Sequence, residues 1–189
     1  MRKHSDSKKR DYYFSRDVSA AIIANMMAFY ETVRFIDSQE GTDHDTEVTV
    51  VNQKDDEKRV PISIISEYIT DKIIDACSED GGKVNLSDDE YMVILSSLRQ
   101  SLDFYVSDFS MVEKAISIRF SDEDLPEPSE EQKMNAIRKT IFLCEYLEGN
   151  APKDVIDEWM EYKKQLIHDA VTEDNVTWCT SSDKEEEEE

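Results

Sequence analysis

The sequence predicts a mainly α-helical fold: a single-domain bundle of about six helices with one small β-hairpin over residues 46–64. Three observations predict it. Apolar residues recur at three- and four-residue spacing along most of the chain, two Ser-x-x-Glu/Gln capping motifs stand before such stretches, and period-two alternation is confined to one place. The 189 residues are enough for one substantial core, and 39% hydrophobic with 35% charged residues fits a folded body with polar extensions.

Residues 1–14 read as a basic flexible arm, with the cluster Lys8-Lys9-Arg10 inviting either an anion-binding or a plain solvated reading. Ser15 is placed to cap a first helix carrying Val18, Ile22, Met26, Tyr30 and Val33 on one row, and Ile23, Met27 and Phe29 broaden it. So wide an apolar face predicts a central helix packed on several sides. The stretch Asp37–Gly41 ends it. Val48 and Val50, then Val60, Ile62 and Ile64, alternate with polar residues on either side of 54–58, which predicts the hairpin. Pro61 marks either an edge strand or the start of a helix.

A helix follows from Ile64 to Ser78, with Ile65, Ile69 and Ile73 on one face, and Gly81-Gly82 reads as its stop. Ser87-Asp-Asp-Glu90 is a capping box opening a helix through Tyr91, Ile94, Leu95, Leu98 and Leu102. A shorter helix, near 108–120, carries Phe109, Val112, Ile116 and Phe120. Residues 121–128 hold four acidic residues and two prolines and read as a linker. Ser129-Glu-Glu-Gln132 is a second capping box, before a row of Met134, Ile137, Ile141, Cys144 and Leu147. Gly149-Asn-Ala-Pro152 reads as a tight turn, with Gly past one helix end and Asn150 capping the next, so that two antiparallel helices meet there. The last helix is expected near 151–171, with Val155, Trp159, Tyr162, Leu166 and Ala170 on one side.

This gives three regions: the arm 1–14, an acidic helical domain 15–172, and an acidic disordered tail 173–189. The formal charge is −22. The first sixteen residues carry a net of about +4, Asp17 to Thr172 a net of −19, and Glu173 onward a net of −7. A body so charged repels phosphate backbones and anionic membranes and attracts basic proteins, so direct nucleic-acid binding by the body and a membrane partner are both disfavoured.

Chemistry leaves few traces. Four glycines, Gly41, Gly81, Gly82 and Gly149, cannot form either a P-loop or a dinucleotide fingerprint. His4, His44 and His168 belong to no zinc or di-iron motif, and Cys77, Cys144 and Cys179 form no C-x-x-C pair. No cofactor and no metal is expected. The loop Cys77–Asp88 resembles the middle of an EF-hand at Gly82–Asn85, but Cys77 and Gly81 stand where carboxylates are needed and Asp88 stands where Glu is needed. It reads as an ordinary helix–Gly-Gly–helix connection. The lone, scattered cysteines and a polar N-terminus without an apolar core point to the cytoplasm, or the nucleus.

Two aromatic features stand out as partner-binding candidates. Tyr12-Tyr13-Phe14 is either an anchor for a partner or a lid on the bundle. Trp178, in a polar stretch, is either an exposed anchor or folds back. Together these features predict a protein-binding module that regulates or inhibits a macromolecular partner with a basic surface, one version being mimicry of nucleic-acid charge. The alternatives are an assembly component that oligomerises through a helix face, and an enzyme whose carboxylate site carries no motif.

Overall fold

A computed structural model describes residues 8–40, 47–51, 57–78, 80–120 and 128–164. The chain divides into two compact units, Met1–Asn150 and Ala151–Glu189. The expectation of a mainly helical fold is met: six helices lie among the described residues. In order, the first unit contains β1 (Lys9–Phe14), α1 (Arg16–Glu40), β2 (Glu47–Val51), β3 (Glu57–Pro61), α2 (Ile62–Ala76), β4 (Cys77–Ser78), β5 (Gly81–Ser87), α3 (Asp88–Ser107), α4 (Phe109–Phe120) and α5 (Glu130–Asn150). The second unit contains one described helix, α6, over 153–164. Trp178 and the tail 173–189 lie outside the described residues, as do residues 1–7 of the arm.

Helix α1 is the axis. It packs against α2, α3, α4 and α5, and its residues 28–33 are buried without interruption. Ser15 precedes it, with the Val18 amide donating to Ser15 Oγ at 3.4 Å. Phe29, Tyr30 and Val33 form a core cluster with Ile62 of α2, and Phe104 of α3 stacks on Phe29 at a ring distance of 6.4 Å. A thin polar seam runs between the same helices. Asn25 donates from Nδ2 to the Ala21 carbonyl and accepts from Thr140 Oγ1 at 2.7 Å, while Ser101 Oγ donates to the Asn25 carbonyl at 2.6 Å. Ser66 and Ser97 share a hydrogen bond of 2.8 Å between α2 and α3. Such pairing is what makes buried hydroxyls tolerable, because an unmatched one costs about 1–3 kcal/mol.

The expected hairpin forms, but its second strand ends at Pro61: Val48 faces Val60 and Val50 faces Lys58 in an antiparallel β2–β3 pair, while Ile62 and Ile64, which the alternation assigned to the strand, lie in α2. The proline closes a strand and opens a helix, the two positions that need no amide proton from it. Both capping boxes form. Ser87 and Glu90 exchange hydrogen bonds of 3.1 and 2.7 Å, and Ser129 and Gln132 exchange bonds of 3.3 and 2.7 Å.

Four sequence expectations are corrected. Residues 9–14 are not arm but strand β1, paired antiparallel with β5 from Lys9–Ser87 to Phe14–Gly82. The Gly81-Gly82 stretch does not join two helices; it turns the chain from β4 into β5, giving a three-stranded sheet of order β1-β5-β4. Gly81 sits at φ +103, and a Cβ there would meet the Phe14 carbonyl oxygen at 2.5 Å, while a Cβ on Gly82 would run into the Ala76 carbonyl. Only glycine lets the strands approach so closely. Third, α5 buries Thr140, Leu143 and Leu147, rather than the whole row from Met134 to Cys144. Fourth, Gly149 and Asn150 remain within α5, where Asn150 Nδ2 donates back to the Tyr146 carbonyl at 2.7 Å. Asn150 therefore satisfies the end of one helix and does not cap the start of the next.

Candidate protein-binding surface

Strand alternation divides the aromatic triplet of β1. Tyr12 and Phe14 point to the core side: Tyr12 stacks on Tyr91 at 4.6 Å and Phe14 is buried. Tyr91 in turn donates its hydroxyl to the Leu147 carbonyl at 2.9 Å, and burial, then the neighbouring Tyr12, pushes its pKa upward. Two of the three candidate anchors are therefore packing residues. Tyr13 alone faces outward, with its hydroxyl donating to the Asp80 carbonyl at 3.1 Å. The rest of that outer sheet face is polar and paired within itself. Asp11 accepts from Asn85 at 2.8 Å and meets Lys83 at 3.2 Å, and these two contacts, the Asn85 one first, hold its carboxyl below the usual range. Arg10 clamps Asp88 with two hydrogen bonds, fixing β1 to the start of α3.

The outer face of α2 is of another kind. Ile64, Tyr68, Asp71 and Asp75 follow one another at spacings of four, three and four, so they share one stripe of the helix. Ile64 is 51% and Tyr68 57% exposed, and both aspartates are exposed. The helix carries no basic residue in its last turn, so Asp75 adds its charge to the negative end of the helix dipole. The flanks of the stripe are fixed by ion pairs: Arg34 to Glu67 at 2.6 Å on one side, and Lys72 to both oxygens of Glu90 at 2.8 Å on the other. The Glu67 hydrogen bond raises the Arg34 pKa further, and Lys72 also lies over the Tyr68 ring at 5.6 Å. The result is an apolar step leading into a carboxylate pair on a braced helix. The sequence places all four residues on one helix, but its apolar row Ile65, Ile69 and Ile73 marks the buried face and leaves this mixed stripe without a periodic signal of its own.

A second apolar surface lies on α5. The row Met134, Ile137, Ile141 and Cys144, which the sequence offers as core, is open: Met134 is 48% and Ile141 41% exposed, and Ile137 and Cys144 are half-buried.

Among the described residues no three His, Cys, Asp or Glu side chains converge as metal ligands, and no helix is long and apolar enough to cross a membrane. No family model, curated protein or solved structure matches the chain.

Proposed function

We propose that the chain is an intracellular protein-binding module that regulates or inhibits its partner by covering a basic, partly apolar segment with the outer face of α2. The observation that carries this reading is the stripe Ile64–Tyr68–Asp71–Asp75: two exposed apolar side chains followed by two exposed carboxylates on one helix face. Exposed aromatic and aliphatic residues supply the contact area that anchors an interface, and charges beside them select the partner and speed its arrival. A Lys- or Arg-bearing amphipathic helix has the matching pattern. The mimicry version asks for carboxylates alone arrayed on a surface, and a stripe in which two of the four side chains are apolar supports mixed apolar and acidic docking more than it supports mimicry.

The test is titration of the full chain with a synthetic Lys/Leu amphipathic helical peptide, followed by calorimetry at low and moderate salt. Binding is expected to weaken as salt rises and to fall at least tenfold in Tyr68→Asp. Equal affinity of wild type and an Ile64→Asp/Tyr68→Asp double variant overturns the reading. A second reading, an assembly component that oligomerises through a helix face, is favoured by the open row on α5.

A further inference from the structure

The sheet β1-β5-β4 has one long open side. Strand β5 lies along one flank of β1, and no strand among the described residues pairs with the other. The register fixes which backbone groups line that open flank. The Asp88 amide donates to the Lys8 carbonyl at 3.1 Å, and the pairing runs one for one from Lys9–Ser87 to Phe14–Gly82. Antiparallel partners alternate between pairs that exchange hydrogen bonds and pairs that do not. Arg10, Tyr12 and Phe14 therefore turn their N–H and C=O toward β5, and Lys9, Asp11 and Tyr13 turn theirs away from it. These last three residues are exposed, Tyr13 at 65%.

An open edge is a template for another strand, and proteins blunt it with proline, a bulge, short length or charge. Strand β1 has six residues, no proline and a register without a bulge. What remains is charge, which selects a partner of opposite sign and deters the rest. Arg10 is held by Asp88, and Asp11, the one carboxylate of the strand, is held by Lys83 and Asn85. Lys8 and Lys9 are exposed and meet no carboxylate among the described residues. The chain carries a net −22, but at about 0.15 M salt a charge is felt over only about 8 Å, so a strand laid on this edge meets these two lysines first. A second copy fits less well. Pairing β1 with itself about Arg10 or about Asp11 sets like charges face to face at the axis, and pairing it about Tyr12 leaves Lys9 opposite Ser15.

We propose that the free edge of β1 takes up an extended segment of a partner protein as an added antiparallel strand, and that Lys8 and Lys9 select a pair of carboxylates at the end of that segment. The main-chain bonds come from Lys9, Asp11 and Tyr13. Such a ladder supplies affinity, and the side chains beside it supply selection. The site is independent of the α2 stripe, and the two faces select opposite charges.

The experiment is amide hydrogen exchange of the full chain with and without the end-capped peptide Val-Thr-Thr-Val-Glu-Glu, with affinity from calorimetry and thermal melting as the check on folding. Run antiparallel from Tyr13, this peptide brings its glutamates opposite Lys9 and Lys8. In the free chain Arg10, Tyr12 and Phe14 are expected to exchange slowly and Lys9, Asp11 and Tyr13 fast. The peptide is expected to slow the second set at least tenfold. Replacing its glutamates with lysines, or N-methylating its third residue, which faces Asp11, is expected to weaken binding at least tenfold. Asp11→Pro removes an outward amide and leaves the β5 ladder whole, so it is expected to melt near the wild type and to lose the peptide, whereas Asp11→Asn keeps it. Tyr68→Asp leaves this binding unchanged, so failure of the α2 reading and failure of this one are told apart. No protection at millimolar peptide overturns the proposal. So does protection of Lys9, Asp11 and Tyr13 in the free chain, whether constant on dilution, as when the chain covers its own edge, or growing with concentration, as when a second copy does. Equal binding of the N-methylated peptide also overturns it, and that comparison holds even where Asp11→Pro does not fold.

Discussion

Helices α1 and α5 begin from similar material and end in different places. Each is longer than twenty residues, each carries more apolar side chains than one face needs, and each is opened by a serine. In α1 the surplus is absorbed, because four other helices surround it and residues 28–33 are buried all round. In α5 the surplus stays outside, because the buried line is only Thr140, Leu143 and Leu147. The difference teaches that an apolar row states a capacity to be covered, and that the neighbours decide whether the cover comes from the same chain.

The largest effect that would break this contrast is a truncation at its inner pole. Phe29→Ala removes a fully buried ring stacked on Phe104 and is expected to cost about 3–5 kcal/mol, read as a shift in the urea midpoint. Phe142→Ala, on the exposed side of α5, is expected to stay within about 0.5 kcal/mol. If the two costs came out equal, the distinction between the helices would fall.

Alkaline pH probes the same contrast through α3. Burial raises the Tyr105 hydroxyl to about 12, with its ring stacked on Phe109 at 5.2 Å. Unfolding returns it to about 10. A group with a raised folded pKa stabilises fully below the unfolded value and loses that contribution as pH climbs through the folded one. Stability is therefore expected to fall by an amount on the order of 2 kcal/mol between pH 10 and 12, and Tyr105→Phe to remove that part of the slope. Ultraviolet titration of the phenolate gives the pKa directly.

The polar seam sharpens the comparison at the point where α1 and α5 touch. Thr140→Val keeps the shape but leaves the Asn25 side-chain oxygen without the 2.7 Å bond from Thr140. The expected loss is about 1–2 kcal/mol, and the double variant Asn25→Leu/Thr140→Val is expected to recover part of it in the same denaturation assay.

Much of this fold was legible. The 3.6-residue rows located α1, α3 and α4, and alternation with Pro61 located the β2–β3 hairpin and the start of α2. The sheet was missed although its signal is visible in Lys9–Phe14: Arg10, Tyr12 and Phe14 take one side, and Lys9, Asp11 and Tyr13 the other. The basic cluster Lys8-Lys9-Arg10 overlies that alternation, and strand β5 is its partner only through contacts about seventy residues away. Long-range pairing of this kind leaves no mark in a local window. The candidate site was less legible still. Tyr12 and Phe14 stand out in the sequence as aromatics, yet strand geometry turns them inward, and the stripe on α2 mixes apolar and acidic residues that share no hydrophobic period.

The smallest expected effect separates two copies of one motif. Ser87 and Ser129 both cap their helices and both receive a side chain back from the third residue of the helix. The resemblance ends there. Glu90 returns a charged oxygen to the Ser87 amide at 2.7 Å while Lys72 of α2 holds both of its oxygens at 2.8 Å, so the box is tied to a second helix and half-buried. Gln132 returns a neutral amide oxygen to Ser129 in full exposure. A charge-assisted bond held by a third partner loses more when its cap is removed than a neutral one already competing with water. Ser87→Ala is therefore expected to cost about 1–2 kcal/mol and Ser129→Ala about 0.5 kcal/mol, and Lys72→Met is expected to bring the first value down toward the second. Equal costs in urea denaturation, before and after Lys72→Met, would show that the capping box acts alone and that its tie to α2 adds nothing.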